Sequence, residues 1–99
     1  MFILNKDKLR YAILKEIEKN DKDVDYQTFE IDPLLFGKEA NFLLDTGYVK
    51  NALFLEGRQF VIFRNGYSIL TEKGEQYLND NSLLGKSYKV AKEIRDWIK

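Results

Sequence analysis

Neither cysteine nor histidine occurs among the 99 residues of this chain. That excludes thiolate nucleophiles, disulfides, most transition-metal sites, and every triad or proton shuttle that depends on imidazole. Net charge is missing too: sixteen basic residues balance sixteen acidic ones and the pI is near 6.3. Dedicated nucleic-acid domains often have a pI above ~9, so any DNA contact must come from a local patch. No apolar run approaches the ~20 residues of a membrane helix. The opening Met1-Phe2-Ile3-Leu4 is too short for a signal-peptide core and reads as an arm that packs on the core or on a sheet edge. With no cysteine, the expected location is cytoplasmic. What remains is a chain sized for one domain, residues 1–99, able to bury roughly two-thirds of its unfolded surface without a staple.

Periodicity supplies the elements. Leu9, Ile13 and Ile17 recur every four positions from Lys6 to Asn20, with Lys15, Glu16, Glu18 and Lys19 expected outside. Val24 to Ile31 fits a short strand plus one helical turn, a reading that periodicity does not decide. Asp32-Pro33 is a start signal and Gly47 a stop signal for a further helix. On its wheel Phe36, Ala40, Leu43 and Leu44 form a core face, whereas Lys38, Asn41 and Asp45 line another. Tyr48 to Leu55 and Gln59 to Phe63 predict two strands of a hairpin turning at Glu56-Gly57-Arg58. Phe60 to Phe63 is apolar at every position, so its second side needs a cover. After the turn Arg64-Asn65-Gly66-Tyr67, a third strand at Ser68 to Leu70 runs into a helix from Thr71 to Asn79. Thr71 is its cap, and Glu72 and Glu75 sit in its first turn. A last helix starts near Ser82 and continues to the C-terminus, with Leu84, Tyr88, Ala91, Ile94, Trp97 and Ile98 on its apolar face.

The order helix, short element, helix, hairpin, helix is that of an α+β winged helix, with 82–99 as an appended amphipathic helix. Leu43-Leu44-Asp45-Thr46-Gly47-Tyr48-Val49 and Leu70-Thr71-Glu72-Lys73-Gly74 are the segments where a wing begins and ends. With them, Asp7-Lys8-Leu9-Arg10-Tyr11-Ala12-Ile13-Leu14-Lys15-Glu16-Ile17 and Lys92-Glu93-Ile94-Arg95-Asp96-Trp97-Ile98-Lys99 resemble the YjcQ-like family, small proteins of Gram-positive bacteria and their prophages. The likeness runs over nearly the whole chain. It implies a winged helix with an added C-terminal helix, and it carries over no catalytic residue, metal ligand or cofactor.

Site candidates follow from charge and apolar excess. From Glu30 to Gly47 four acids (Glu30, Asp32, Glu39, Asp45) face Lys38 alone, a repulsive field for a groove-reading helix. From Tyr48 to Leu70, Lys50, Arg58 and Arg64 outnumber Glu56. If the protein binds double-stranded DNA, the expected contributors are Arg58, Arg64, Lys50, Lys38 and Asn41; the plainer reading makes Arg58 and Arg64 solvated loop charges. Leu35 and Phe42 share a stripe away from the core face, to be covered either within the chain or by another protein. Terminal Lys86, Lys89, Lys92, Arg95 and Lys99 either meet phosphates or an acidic partner or, the plainer reading, form the wet side of a packing helix with Tyr88 and Trp97 as core anchors. Gly85-Lys86-Ser87 lacks the upstream glycine of a phosphate loop, since Asp80 stands there. Asp21, Asp23 and Asp25 alternate like calcium ligands, but Tyr26 and Asp32 occupy the positions that need Gly and Glu. The sequence therefore predicts a non-enzymatic binding module. One reading makes it a DNA-associated regulator, the other a protein-interaction module, and its apolar excess also fits a homodimer.

Overall fold

The computed structural model describes residues 6–87, with side chains through residue 85. The Met1 to Leu4 arm and the expected anchors Tyr88 and Trp97 lie outside the described residues. The fold is mixed α+β. Among the described residues five helices, α1 (Lys6–Lys19), α2 (Tyr26–Phe29), α3 (Pro33–Asp45), α4 (Glu72–Asp80) and α5 (Ser82–Ser87), accompany four short strands, β1 (Val49–Lys50), β2 (Leu53–Leu55), β3 (Phe60–Ile62) and β4 (Ile69–Leu70). None of the described helices is long and apolar enough to cross a membrane.

Helix α1 is central: α3, α4, β4 and α5 all pack against it. That placement corrects the simple amphipathic reading, because Lys8 and Glu16 are buried along with Leu9, Tyr11, Ala12, Ile13, Leu14 and Ile17. Glu16 is held from outside by Lys19, whose ammonium donates to its carboxylate at 3.0 Å. Beside α1, the rings of Phe29, Phe36 and Phe63 meet at centroid separations of 6.2 and 6.1 Å, tying α2, α3 and the residue that follows β3 into one core.

Periodicity left the stretch after α1 undecided; it holds one β-bridge and one helical turn. Val24 bridges Phe63 through two backbone hydrogen bonds, at 2.8 and 2.9 Å. One helical turn then follows, opened by a reciprocal cap between Asp25 and Thr28. Helix α3 starts as its signals require, with the Asp32 carboxylate accepting from Leu34 N–H. At its end Gly47, at φ +84°, lets Tyr48 and Gly47 N–H donate back to the Leu43 and Leu44 carbonyls.

The two segments that suggested the wing's ends form one joint in space. Thr71 Oγ1 donates to the Gly47 carbonyl at 2.6 Å while accepting from Gly74 N–H at 3.1 Å, and Thr71 N–H donates to Tyr48 O at 3.1 Å. Gly74 lies so close to that Tyr48 carbonyl that any Cβ would overlap it. The spacing Thr-x-x-Gly thus records a cap and a close approach at once.

The expected single strand from Tyr48 to Leu55 is broken. Asn51 takes a left-handed conformation (φ 68°), its amide donating to Tyr67 O and its carbonyl accepting from Ser68 Oγ. The chain therefore changes partner: β1 pairs antiparallel with β4 (Val49 opposite Leu70), and β2 with β3 (Leu53 opposite Ile62, Leu55 opposite Phe60). Two two-stranded sheets result. Helix α5 lies on α1, with Gly85 facing the Tyr11 hydroxyl.

Candidate interaction surface

The hairpin tip between β2 and β3 is folded onto α3. Gly37, in the middle of that helix, sits under the Gln59 carbonyl with no room for a side chain between them. One turn on, Asn41 Nδ2 donates to its own helix at Gly37 O (2.9 Å) and across to Arg58 O (2.7 Å). The Arg58 guanidinium then reaches Asp45 at 3.2 Å and lies 5.1 Å from the centre of the Phe54 ring. Asn41 and Asp45, read from the sequence as one helix face, and Arg58, read as part of the hairpin turn, are therefore one joint. A mid-helix glycine was the sequence signal for it, since such a residue often marks a close backbone approach.

The remaining predicted cations are elsewhere. Lys38 is exposed on α3. Lys50 is exposed opposite Ile69, and Arg64 follows β3, so both lie at the base of the ribbon, away from its tip. Neither forms an ion pair among the described residues.

Leu35 and Phe42 are partly buried and pack against the core. Phe42 is covered from within the chain: the Arg10 guanidinium stacks 3.6 Å from its ring centre and Tyr48 meets its edge at 6.4 Å. Arg10 is held there by Glu39, whose carboxylate is 1% exposed and accepts from Arg10 Nε at 2.7 Å. Glu39 is thus a buried partner of α1 and contributes no open charge to the face of α3.

Large apolar side chains are exposed singly at Leu34, Ile69 and Leu83, and as a contiguous run at Leu53, Phe54 and Leu55 on the ribbon. Opposed residues of an antiparallel pair point the same way, so Val61, buried on α3, shares the inner face with Phe54. Leu53, Leu55, Phe60 and Ile62 make the outer face. Phe60 and Ile62 are partly buried, but Leu53 and Leu55 are 37% and 55% exposed. Next to them Tyr67 is 47% exposed, and Leu53, Arg64, Asn65, Gly66 and Tyr67 line a shallow cleft of about 320 Å³. The sequence carried a sign of this in Leu53-Phe54-Leu55, which is apolar at each position like the strand it pairs with.

A family model described as YjcQ protein matches residues 3–97. The chain belongs to the YjcQ family. The relative named "Uncharacterized protein YjcQ" from Bacillus subtilis (strain 168) is 42% identical over 96 residues, covering 97% of this chain and 100% of that one. No solved structure matches significantly. YjcQ membership brings no assigned site with it, so the candidate surface of this family member stands on its own geometry. Among the described residues no cluster of three or more acidic side chains could hold a metal ion.

Proposed function

We propose that this YjcQ-family chain is a cytoplasmic, non-catalytic binding module of the winged-helix type that works by protein contact through the outer face of its ribbon. The observation that carries this reading is the seating of the hairpin tip on α3. A groove-reading helix needs polar side chains free to meet base edges. Here the Asn41 amide is committed to two carbonyls, and Asp45 stands beside it as an exposed acid. Phosphates approaching α3 would meet the backbone of residues 58 and 59 and that acid before any base contact formed. The ribbon, in contrast, leaves leucines in water next to a cleft, which is the combination that recognition of an apolar side chain uses. The non-catalytic part rests on the lack of histidine and cysteine.

One observation favours a second reading, a DNA-associated regulator that contacts phosphates wing-first: Lys50 and Arg64 have no carboxylate partner among the described residues. An anisotropy titration on random-sequence duplex at low salt separates the two. Protein contact predicts no saturable binding at high micromolar chain. Tight, salt-sensitive binding that Lys38→Ala and Asn41→Ala abolish would overturn it in favour of α3, and loss on Lys50→Ala and Arg64→Ala would favour the wing.

A further inference from the structure

The cleft at the base of the ribbon combines three features of different kind. Leu53 and Tyr67 give it apolar walls, Arg64 gives it a cation, and β2 gives it an edge, since β2 pairs only with β3 among the described residues. Exposed apolar area narrows the choice of occupant. At the 150–250 Å² typical of large side chains, the uncovered parts of Leu53, Leu55 and Tyr67 amount to roughly 300 Å². That is enough to seat a short apolar segment, whereas a two-fold pairing of copies through this end would set Arg64 and Lys50 against their own counterparts. Charge narrows it further. Arg64 lies in the cleft and Lys50 stands at the same end of the ribbon, both exposed and without an ion pair among the described residues. Of the acids, Glu56 is at the opposite end, in the tip, and Asp23 is engaged beside the cleft, its carboxylate accepting from Asn65 N–H at 2.8 Å.

We propose that the Leu53–Arg64–Tyr67 cleft and the open edge of β2 take an extended peptide segment of a partner protein, with a large apolar side chain in the cleft and an Asp or Glu carboxylate on Arg64. This rests on the protein-contact reading of the same surface. The segment adds a third strand to the ribbon: backbone hydrogen bonds along β2 supply its direction, and alternate side chains reach the outer face. The carboxylate receives a charge-assisted hydrogen bond from the guanidinium, which discriminates against basic segments.

Panning the full chain against displayed random short peptides tests this, with Arg64→Glu and Leu55→Asp variants panned in parallel. Both substitutions are at exposed positions, and circular dichroism checks that each variant is folded. The expected pool is enriched in acidic and large apolar residues. Arg64→Glu should shift enrichment from acidic to basic residues and weaken the best parental peptide about tenfold, the effect of one charged hydrogen bond. Leu55→Asp should abolish enrichment. An apolar pool with no acidic bias, bound equally by Arg64→Glu, overturns the peptide chemistry and leaves the protein-contact reading standing. No enrichment by the parent defeats both, and a parent that sediments as a tight dimer through this face overturns the peptide in favour of a second copy.

Discussion

Replacing Gly37 by alanine tests the seating of the hairpin tip, and two opposing effects give the test its sign. Alanine is the better helix former by about 1 kcal/mol, so at an uncrowded position of α3 the change would stabilise. At Gly37, however, the new Cβ would overlap the Gln59 carbonyl oxygen and come 3.1 Å from its carbon. These are backbone atoms, so the tip itself must lift. Lifting it stretches the 2.7 Å bond from Asn41 Nδ2 to Arg58 O, worth about 1 kcal/mol, and adds a packing strain of about 1–3 kcal/mol where β3 rests on α3. The balance is a net loss of about 2 kcal/mol. For a chain of this size that lowers Tm by roughly 10 °C. Thermal melts and urea titrations followed by circular dichroism read the change directly. The Asn41→Ala variant, which loses the hydrogen bond without the overlap, should lose about half as much. A Gly37→Ala protein that melts at or above the parent temperature would refute the reasoning, because the helix-propensity gain would then stand unopposed.

Thr71→Ala removes both the cap on α4 and the bond to the Gly47 carbonyl and should cost about 2 kcal/mol in urea unfolding, whereas Thr71→Ser should keep most of it. Arg10→Ala strips the partner from the buried Glu39 carboxylate and uncovers Phe42, for a loss of about 3 kcal/mol; the double variant Arg10→Met, Glu39→Leu should recover most of it. Burial, helped by the Asp7 carboxylate, pushes the Tyr77 hydroxyl up to about 12 from an ordinary value of 10.0. The folded state therefore holds that proton more tightly than the unfolded chain, so its stabilisation is complete below pH 10.0 and is lost as pH rises toward about 12. Tyr77→Phe should remove that part of the alkaline loss, and ultraviolet titration of the parent should show one tyrosine ionising later than the ordinary value.

Much of this fold was legible where a local rule and the packing agree. Asp32-Pro33 and Gly47 bound α3 because capping and left-handed backbone are decided within a few residues. Thr71 capped α4 for the same reason. Glu16 was placed outside and Glu39 counted as an open acid because the pattern of one helix says nothing of the partners that other elements bring to a buried carboxylate. The break at Asn51 escaped because the strand formers on either side outweighed one asparagine, itself a poor strand former that tolerates a left-handed backbone, and what divides the segment is a change of partner between β4 and β3. The candidate site was the least legible part. Arg58 and Asn41 were read as contributors to a DNA contact, but their mutual bond depends on where a loop four residues long comes to rest. Leu53, Leu55 and Tyr67 were visible only as apolar residues, because exposure depends on what the other elements happen to cover.

The working surface is most directly tested by placing a photo-crosslinking amino acid at Leu55 in one variant and at Lys38 in another, expressed in a Gram-positive host. Protein contact through the ribbon predicts a discrete protein adduct from position 55 that disappears when Leu53→Asp is added, with no adduct from position 38. Nucleic-acid adducts from position 38, with none from position 55, would contradict the account.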